Sequence, residues 1–354
     1  MSAELVSVTR APGKAMLFGE YAVVEGAPAL VTAVDRYATA WTVERGDEPA
    51  ASTFVREARA AALEVMLRRG LRARLAQLRI DSSPLYASGA GGRKLGLGSS
   101  AAVTVAAFGE WPDMAREEVW HLCQEAHCRA QGSRGSGADI AAAVWGGVLR
   151  FQLVDDGEAC QALPVALAED LAVTLVDTGV AAQTGPRLER LAALQHKEPA
   201  RHAALMRPLH QLAEAVAGEA QRSGRIEAAA VREWNAALDA LADALGLSIV
   251  TDAHRAIAAC AESVAAQGSA KPSGAGGGDL AVCFTPREAT ARLRARLLDL
   301  GFEPLDLAIG ARGLHVAQAE ADAVASSSTT PGRTPLAARA GATTAERRNS
   351  KVDP

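Results

Sequence analysis

Apolar positions come in short blocks at the start of the chain and at helical spacing further on. Residues 17–24 and 29–34 are brief apolar runs with Glu25-Gly26 between them as a turn signal, so residues 4–46 read as strands joined by a hairpin. Over 54–78 the period changes. Leu63, Leu67, Leu71, Leu75 and Leu78 recur at helical intervals and predict one apolar helix face. Beyond a loop rich in Gly and Ser, a helix is expected from about Ser99 and another over 115–131. A third should start at 138–144, after a Gly/Ser turn at 132–137. Residues 147–153 and 171–176 read as strands. The stretch 186–267 is almost entirely helical, with breaks near Pro199, Gly224 and Gly246. Residues 280–284 predict a buried strand, 287–300 a helix, and 313–317 a last short strand.

From about Ala319 the pattern stops. The last 36 residues hold no aromatic, and Val324, Leu336 and Val352 are their only aliphatics larger than Ala. Such a segment cannot bury enough surface to order itself, so 319–354 reads as a disordered tail, with a partner-binding arm as a lesser alternative. The 354 residues allow two domains. Charge is nearly balanced, with 37 Lys+Arg against 41 Asp+Glu and a net charge of −4, which argues against nucleic acid or a membrane surface as partner. The five cysteines form no CxxC pair and are expected as free thiols in a reducing cytoplasm. There is no membrane-spanning run, no secretory signal and no metal-binding His spacing. Only five of the basic residues are lysines, and Lys14, Lys94 and Lys271 each fall beside a glycine-rich segment. A compact ammonium among so many arginines points to sites where a planar guanidinium does not serve.

Those segments carry the candidate chemistry. Lys94-Leu-Gly-Leu-Gly-Ser-Ser-Ala-Ala102 leads into a helix, and glycines before a helix N-terminus make a phosphate cradle. Ser99 and Ser100 can cap that helix, and one hydroxyl can reach a magnesium ion. On its own the segment is equally a flexible linker before a capped helix. Lys271-Pro-Ser-Gly-Ala-Gly-Gly-Gly-Asp279 has more glycine than a plain turn needs and suggests close backbone approach to a ligand. Ala11-Pro-Gly-Lys-Ala-Met-Leu-Phe-Gly-Glu-Tyr places Lys14 at the start of an apolar strand and Glu20 and Tyr21 at its end. Asp139 follows a Gly/Ser turn containing Arg134, Ser136 and Gly137, where an aspartate alone would read as a helix cap.

Together, in identity, order and spacing, these four segments resemble the GHMP kinases (galactokinase, homoserine, mevalonate and phosphomevalonate kinases) over about residues 8–317. GEYAV, K-x-GLGSSAAVTVA, AH…AQG…GSGADIA and KPSGAGGGD are most similar to the phosphomevalonate branch. The resemblance implies a two-domain α+β fold. A ribosomal-protein-S5-like N-terminal domain would cover 1–168 and a ferredoxin-like C-terminal domain 169–318. It implies ATP and Mg²⁺ as cofactors and ATP-dependent phosphorylation of (R)-5-phosphomevalonate to (R)-5-diphosphomevalonate in isoprenoid precursor biosynthesis. Mevalonate or another small-molecule acceptor is the alternative, and a non-catalytic nucleotide-binding regulator a more distant one.

By the same resemblance Lys14 and Asp139 match the catalytic pair. Lys94, Gly96, Leu97, Gly98, Ser99, Ser100 and Ala101 match the ATP-phosphate loop. Ser99 or Ser100 matches the magnesium serine. The acceptor pocket would draw on Lys14, Glu20, Tyr21, Ser136 and Gly137, and on Lys271, Ser273, Gly274, Ala275 and Gly276. Arg134 and Arg187, the latter beside Gln183 and Thr184, are the candidate cations for its phosphate. Mevalonate kinases place a magnesium-binding Glu eleven residues before the catalytic Asp. Here that position is Cys128, and Glu125, one turn earlier, is the nearest carboxylate.

Overall fold

Strand formation begins earlier than the apolar blocks indicate. β1 (Val8–Phe18) and β2 (Ala29–Val43) pair antiparallel, with Lys14 opposite Ala33. They belong to a computed structural model that describes residues 8–43, 51–71, 77–87, 92–133, 135–181 and 184–317. The expected tail 319–354 and Leu75 lie outside these. The apolar block 17–24 is divided: β1 ends at Phe18, and Ala22–Glu25 wind into a 3-10 turn closed by Gly26 in the left-handed region.

α1 (Thr53–Arg68) starts at Ser52, whose hydroxyl accepts the Val55 N–H at 3.4 Å. Its buried face is Val55, Ala58, Ala61 and Val65. The leucine stripe is on the other side, with Leu63, Leu67 and Leu71 exposed, Leu67 at 65%. Leu78 is not helical at all, because it lies in β3 (Gln77–Asp81), which pairs with the far end of β2. α2 (Ser99–Phe108), α3 (Arg116–Gln131) and α4 (Ala138–Trp145) follow. α1 packs on α2 and α3, while α2 and α4 lie against β1 and β2. Alanines on α1 therefore suit a close helix–helix approach better than leucines do.

β4 (Val148–Val154) and β5 (Ala159–Pro164) extend this sheet beyond β2. A second, four-stranded sheet begins with β6 (Leu171–Asp177). Then come α5 (Thr184–Lys197), α6 (Pro199–Ser223), α7 (Ala228–Leu245) and α8 (Asp252–Val264). The expected breaks are real: Pro199 opens α6, and Gly224 and Gly246 cap α6 and α7 with φ of 71° and 61°. Pro208 lies inside α6 without ending it.

β7 (Ser269–Ser273), β8 (Leu280–Pro286), α9 (Thr290–Asp299), β9 (Glu303–Pro304) and β10 (His315–Ala317) complete the fold. The second sheet runs β7-β8-β6-β9, and β10 returns to pair with β1 in the first. β8 is buried on both faces. Ala281 and Cys283 meet Ile257 of α8 and Leu293 and Leu297 of α9, while Leu280, Val282 and Phe284 join the main core. β7 escapes the periodicity because Ser269, Lys271 and Ser273, its alternate positions opposite Phe284, Val282 and Leu280, are polar yet buried. Among the described residues no helix is long and apolar enough to cross a membrane.

The reversed faces of α1 can be tested by chemical denaturation. Leu67→Ser should change stability by less than about 0.5 kcal/mol, whereas Val65→Ala should cost roughly 1–3 kcal/mol.

Candidate functional site

β1 carries Lys14 to the point where the loop 96–98 crosses it, and the Lys14 N–H donates to the Leu97 carbonyl at 2.8 Å. Gly98, with φ of 69°, is the N-cap of α2. A Cβ on Gly98 would lie 2.8 Å from Cγ and 3.1 Å from Cε of Lys14, and one on Gly96 would lie 2.6 Å from Cβ of Asp279. The two glycines thus thread the loop between the Lys14 stem and Asp279, where a side chain would not fit. Neither expected serine caps the helix. Ser99 is its first helical residue and is buried, and Ser100 Oγ lies 3.1 Å from Nε2 of His127. First-turn N–H groups have no intrahelical partner. An uncapped N-terminus beside an ammonium therefore suits an anion.

A cavity of about 140 Å³ opens beside Lys14. About 150 Å³ is enough for a molecule of benzene's size, so the space is on the scale of a small ligand. Asp139 lines it. Gly137 is the N-cap of α4 and Asp139 its second residue, so the carboxylate is not a cap. The turn before α4 is held from α3, where Trp120 Nε1 donates to the Gly137 carbonyl and Gln124 Nε2 to the Gly135 carbonyl, each at 3.0 Å. Lys14, Glu20, Tyr21, Ser136, Gly137, Asp139, Gly274 and Ala275, all expected from the sequence, share this cavity. Met16, Val23, Val24 and Leu188 form its apolar wall.

The glycine-rich segment 274–278 reaches the cavity because the strand before it is anchored. Lys271 is 0% exposed, and its Nζ donates to Glu20 Oε1 at 2.5 Å and to the Pro272 carbonyl at 2.6 Å. Burial lowers the Lys271 pKa, while the Glu20 carboxylate pulls it back up. Glu20 Oε1 also accepts the Gly274 N–H at 3.3 Å. Ser273 Oγ accepts the Met16 N–H at 3.0 Å and donates to the Met16 carbonyl at 2.9 Å, tying β7 to β1. Tyr21, at φ of 64°, donates its hydroxyl to the Ala275 carbonyl at 2.6 Å. Burial raises the phenol pKa and keeps it a donor. Lys271 and Ser273 therefore hold the loop and do not line the cavity, contrary to expectation. Gly276 packs on Ile249. Nearby, His254 caps α8 reciprocally with Thr251, and burial lowers its pKa to about 4.

Several expected residues lie elsewhere. Glu125 is a correction. It sits on the outer side of α3, 3.5 Å from His121 and 3.9 Å from Arg129, beside a different cleft. Successive helical residues differ by about 100°, and the cavity-facing positions are 124, 127 and 131. Among the described residues no group of three or more His, Cys, Asp and Glu is placed to hold a metal. Lys94 is exposed and bridges Tyr86, and Ala101 is buried within α2. Arg187 reaches the Ser248 carbonyl at 3.4 Å, close enough for its charge to act on the Tyr21 phenol. Arg134, Gln183 and the side chain of Thr184 lie outside the described residues. Sequence reasoning missed Gln124, His127 and Gln131, although their spacing marks one helix face. It also missed the pairing of Arg93 with Asp177, at 2.6 Å to Oδ1, which ties the start of the phosphate loop to the end of β6.

Residues 58–147 match the family model described as GHMP kinases N terminal domain. A phosphomevalonate kinase of Streptomyces sp. (strain CL190) is 30% identical over 380 residues, covering 87% of this chain and 98% of that one. Among solved structures, the Lin0012 protein of Listeria innocua has a TM-score of 0.79 at 23% identity, over 89% of this chain and 100% of the other. Streptococcus pneumoniae phosphomevalonate kinase in complex with phosphomevalonate and AMPPNP has a TM-score of 0.69 at 19% identity, over 85% and 99%. The structural likenesses establish the two-domain α+β fold.

Two measurements check the anchoring. Lys271→Met should cost about 3–5 kcal/mol in urea unfolding by stranding the Glu20 carboxylate, and adding Glu20→Gln should recover part of the loss. His254 binds a proton more readily when unfolded, so stability should fall between pH 6.5 and about 4, by up to about 3 kcal/mol. His254→Gln, which keeps a capping side chain, should flatten that part of the stability profile.

Proposed function

Because the chain belongs to the GHMP kinase family, we propose that it transfers the γ-phosphoryl group of ATP to (R)-5-phosphomevalonate, giving (R)-5-diphosphomevalonate and ADP. The observation that carries this reading is the meeting of the Lys14 ammonium and the Asp139 carboxylate in one small cavity, with the uncapped N-terminus of α2 against Lys14. ATP phosphates would lie over 96–100 and the acceptor in the cavity. The bond between γ-phosphorus and the β–γ bridging oxygen breaks, and one forms to an oxygen of the acceptor phosphate. That phosphate has a second pKa near ~6 and is mostly ionised at neutral pH, so little proton removal is needed. What is needed is positioning and compensation of charge on the transferring group. Lys14 would supply both at the crossing of β1 and the phosphate loop, and Asp139, lining the same cavity, would orient Lys14 or the metal. Arg187, next to the cavity-lining Leu188, is the candidate cation for the acceptor phosphate.

Magnesium fits the donor set only as an ion carried in with the nucleotide. Glu20 is engaged by Lys271, which leaves Asp139 as the carboxylate in the cavity and Ser99 and Ser100 as hydroxyl donors. That is sufficient for an ion which keeps several waters and binds chiefly through phosphates. When bound it would offset charge on the β- and γ-phosphate oxygens. Domains covering 1–168 and 169–318 complete the reading. A cytoplasmic setting does too, and the free cysteines, three of them buried, support it.

Assaying phosphomevalonate against mevalonate with ATP tests the proposal. Phosphomevalonate should be preferred by at least ~100-fold in kcat/KM, and a preference for mevalonate would overturn it. Lys14→Ala should lower kcat about 10²–10³-fold with little change in KM for ATP. Lys14→Arg should not restore activity, because a wider planar guanidinium does not put its charge at the point a compact ammonium occupies.

A further inference from the structure

Gln124 is 7% exposed, lines the cavity, and has one end of its amide committed. Nε2 donates to the Gly135 carbonyl at 3.0 Å, while Oε1 is buried with no hydrogen-bond partner among the described residues. The Gly135 bond fixes which way the amide faces, since turning it over would set two acceptors against each other. Oε1 is therefore an acceptor, and only a donor satisfies it. Glu20 Oε2 also lacks a hydrogen bond, but its carboxylate is already paired with Lys271. Gly137 lets the turn pack close to the amide without covering it further: its φ is 75°, and a Cβ there would lie 3.1 Å from Oε1.

Given the reading of the acceptor as phosphomevalonate, we infer that Gln124 Oε1 accepts a hydrogen bond from the tertiary 3-hydroxyl of that substrate and makes Gln124 a specificity-determining residue. At neutral pH phosphomevalonate offers a carboxylate and a mostly ionised phosphate, both essentially acceptors, and one hydroxyl. The hydroxyl is its dependable donor, and the orphaned acceptor of a residue that lines the cavity is the complement it requires. A buried acceptor left unsatisfied is penalised by roughly 10- to 100-fold in an equilibrium, so an acceptor lacking the hydroxyl should be disfavoured by that factor.

The test compares phosphomevalonate with its 3-deoxy analogue, whose phosphate remains the acceptor. The wild type should turn over the analogue with kcat/KM about 10- to 100-fold lower. Gln124→Met should bring the two substrates within about threefold of each other. Equal losses on both substrates in the Met variant would assign Gln124 to structure alone and overturn the inference. So would a wild type that does not distinguish them, a result that stands even if the Met variant does not fold. A wild type inactive on phosphomevalonate overturns the functional reading and this inference together. Activity without hydroxyl preference overturns this inference only.

Discussion

The fully buried contact of Lys271 with Glu20 is what the site is built on. It joins β7 in the second sheet to the end of β1 in the first, at a place where water cannot compensate either charge. Ser273 reinforces it with a two-way bond to the Met16 backbone, and Tyr21 holds the following loop at Ala275. These contacts act on one short stretch, 269–275, and deliver Gly274 and Ala275 to the cavity that Asp139 also lines. Without them the glycine-rich loop would have no reason to face Lys14, because its own sequence specifies flexibility and not direction.

Charge at the site is economical. The cavity face of α3 contributes amides and an imidazole at 124, 127 and 131, while Glu125 and Arg129 pair on its outer face. Among the described residues the anion-attracting elements are the Lys14 ammonium, the nearby Arg187 and helix N-termini, which hold partial charge without a counterion of their own. A chain with a net charge of −4 can therefore bind highly charged phosphates through local geometry.

Much of this was legible in the sequence. The glycine-rich segments, Lys14 and Asp139 converge as expected, and the helix boundaries at Pro199, Gly224 and Gly246 follow from residues with one strong conformational preference. Two kinds of error have physical causes. The α1 leucines looked like a core face because periodicity reports spacing and not which side is covered; close neighbours favoured alanine there. β7 was missed because its buried face is polar, and a buried Ser or Lys is identifiable only once its partner 250 or more residues away is known. Lys271 and Ser273, expected in the acceptor pocket, shape the site from behind.

The pairing of β10 with β1 has a consequence for how the molecule is made. Val8 faces Ala317 and Arg10 faces His315, so the strand that carries Lys14 gains its outer neighbour only after nearly the whole described chain exists. On a ribosome adding about 5–20 residues per second, β1 would spend tens of seconds with that edge unpaired. Pairing across such a sequence separation also closes a long loop, which slows folding more than it weakens the product. The early part of the first sheet must therefore wait as an incomplete template during synthesis, with this edge open to pairing with another copy until β10 arrives.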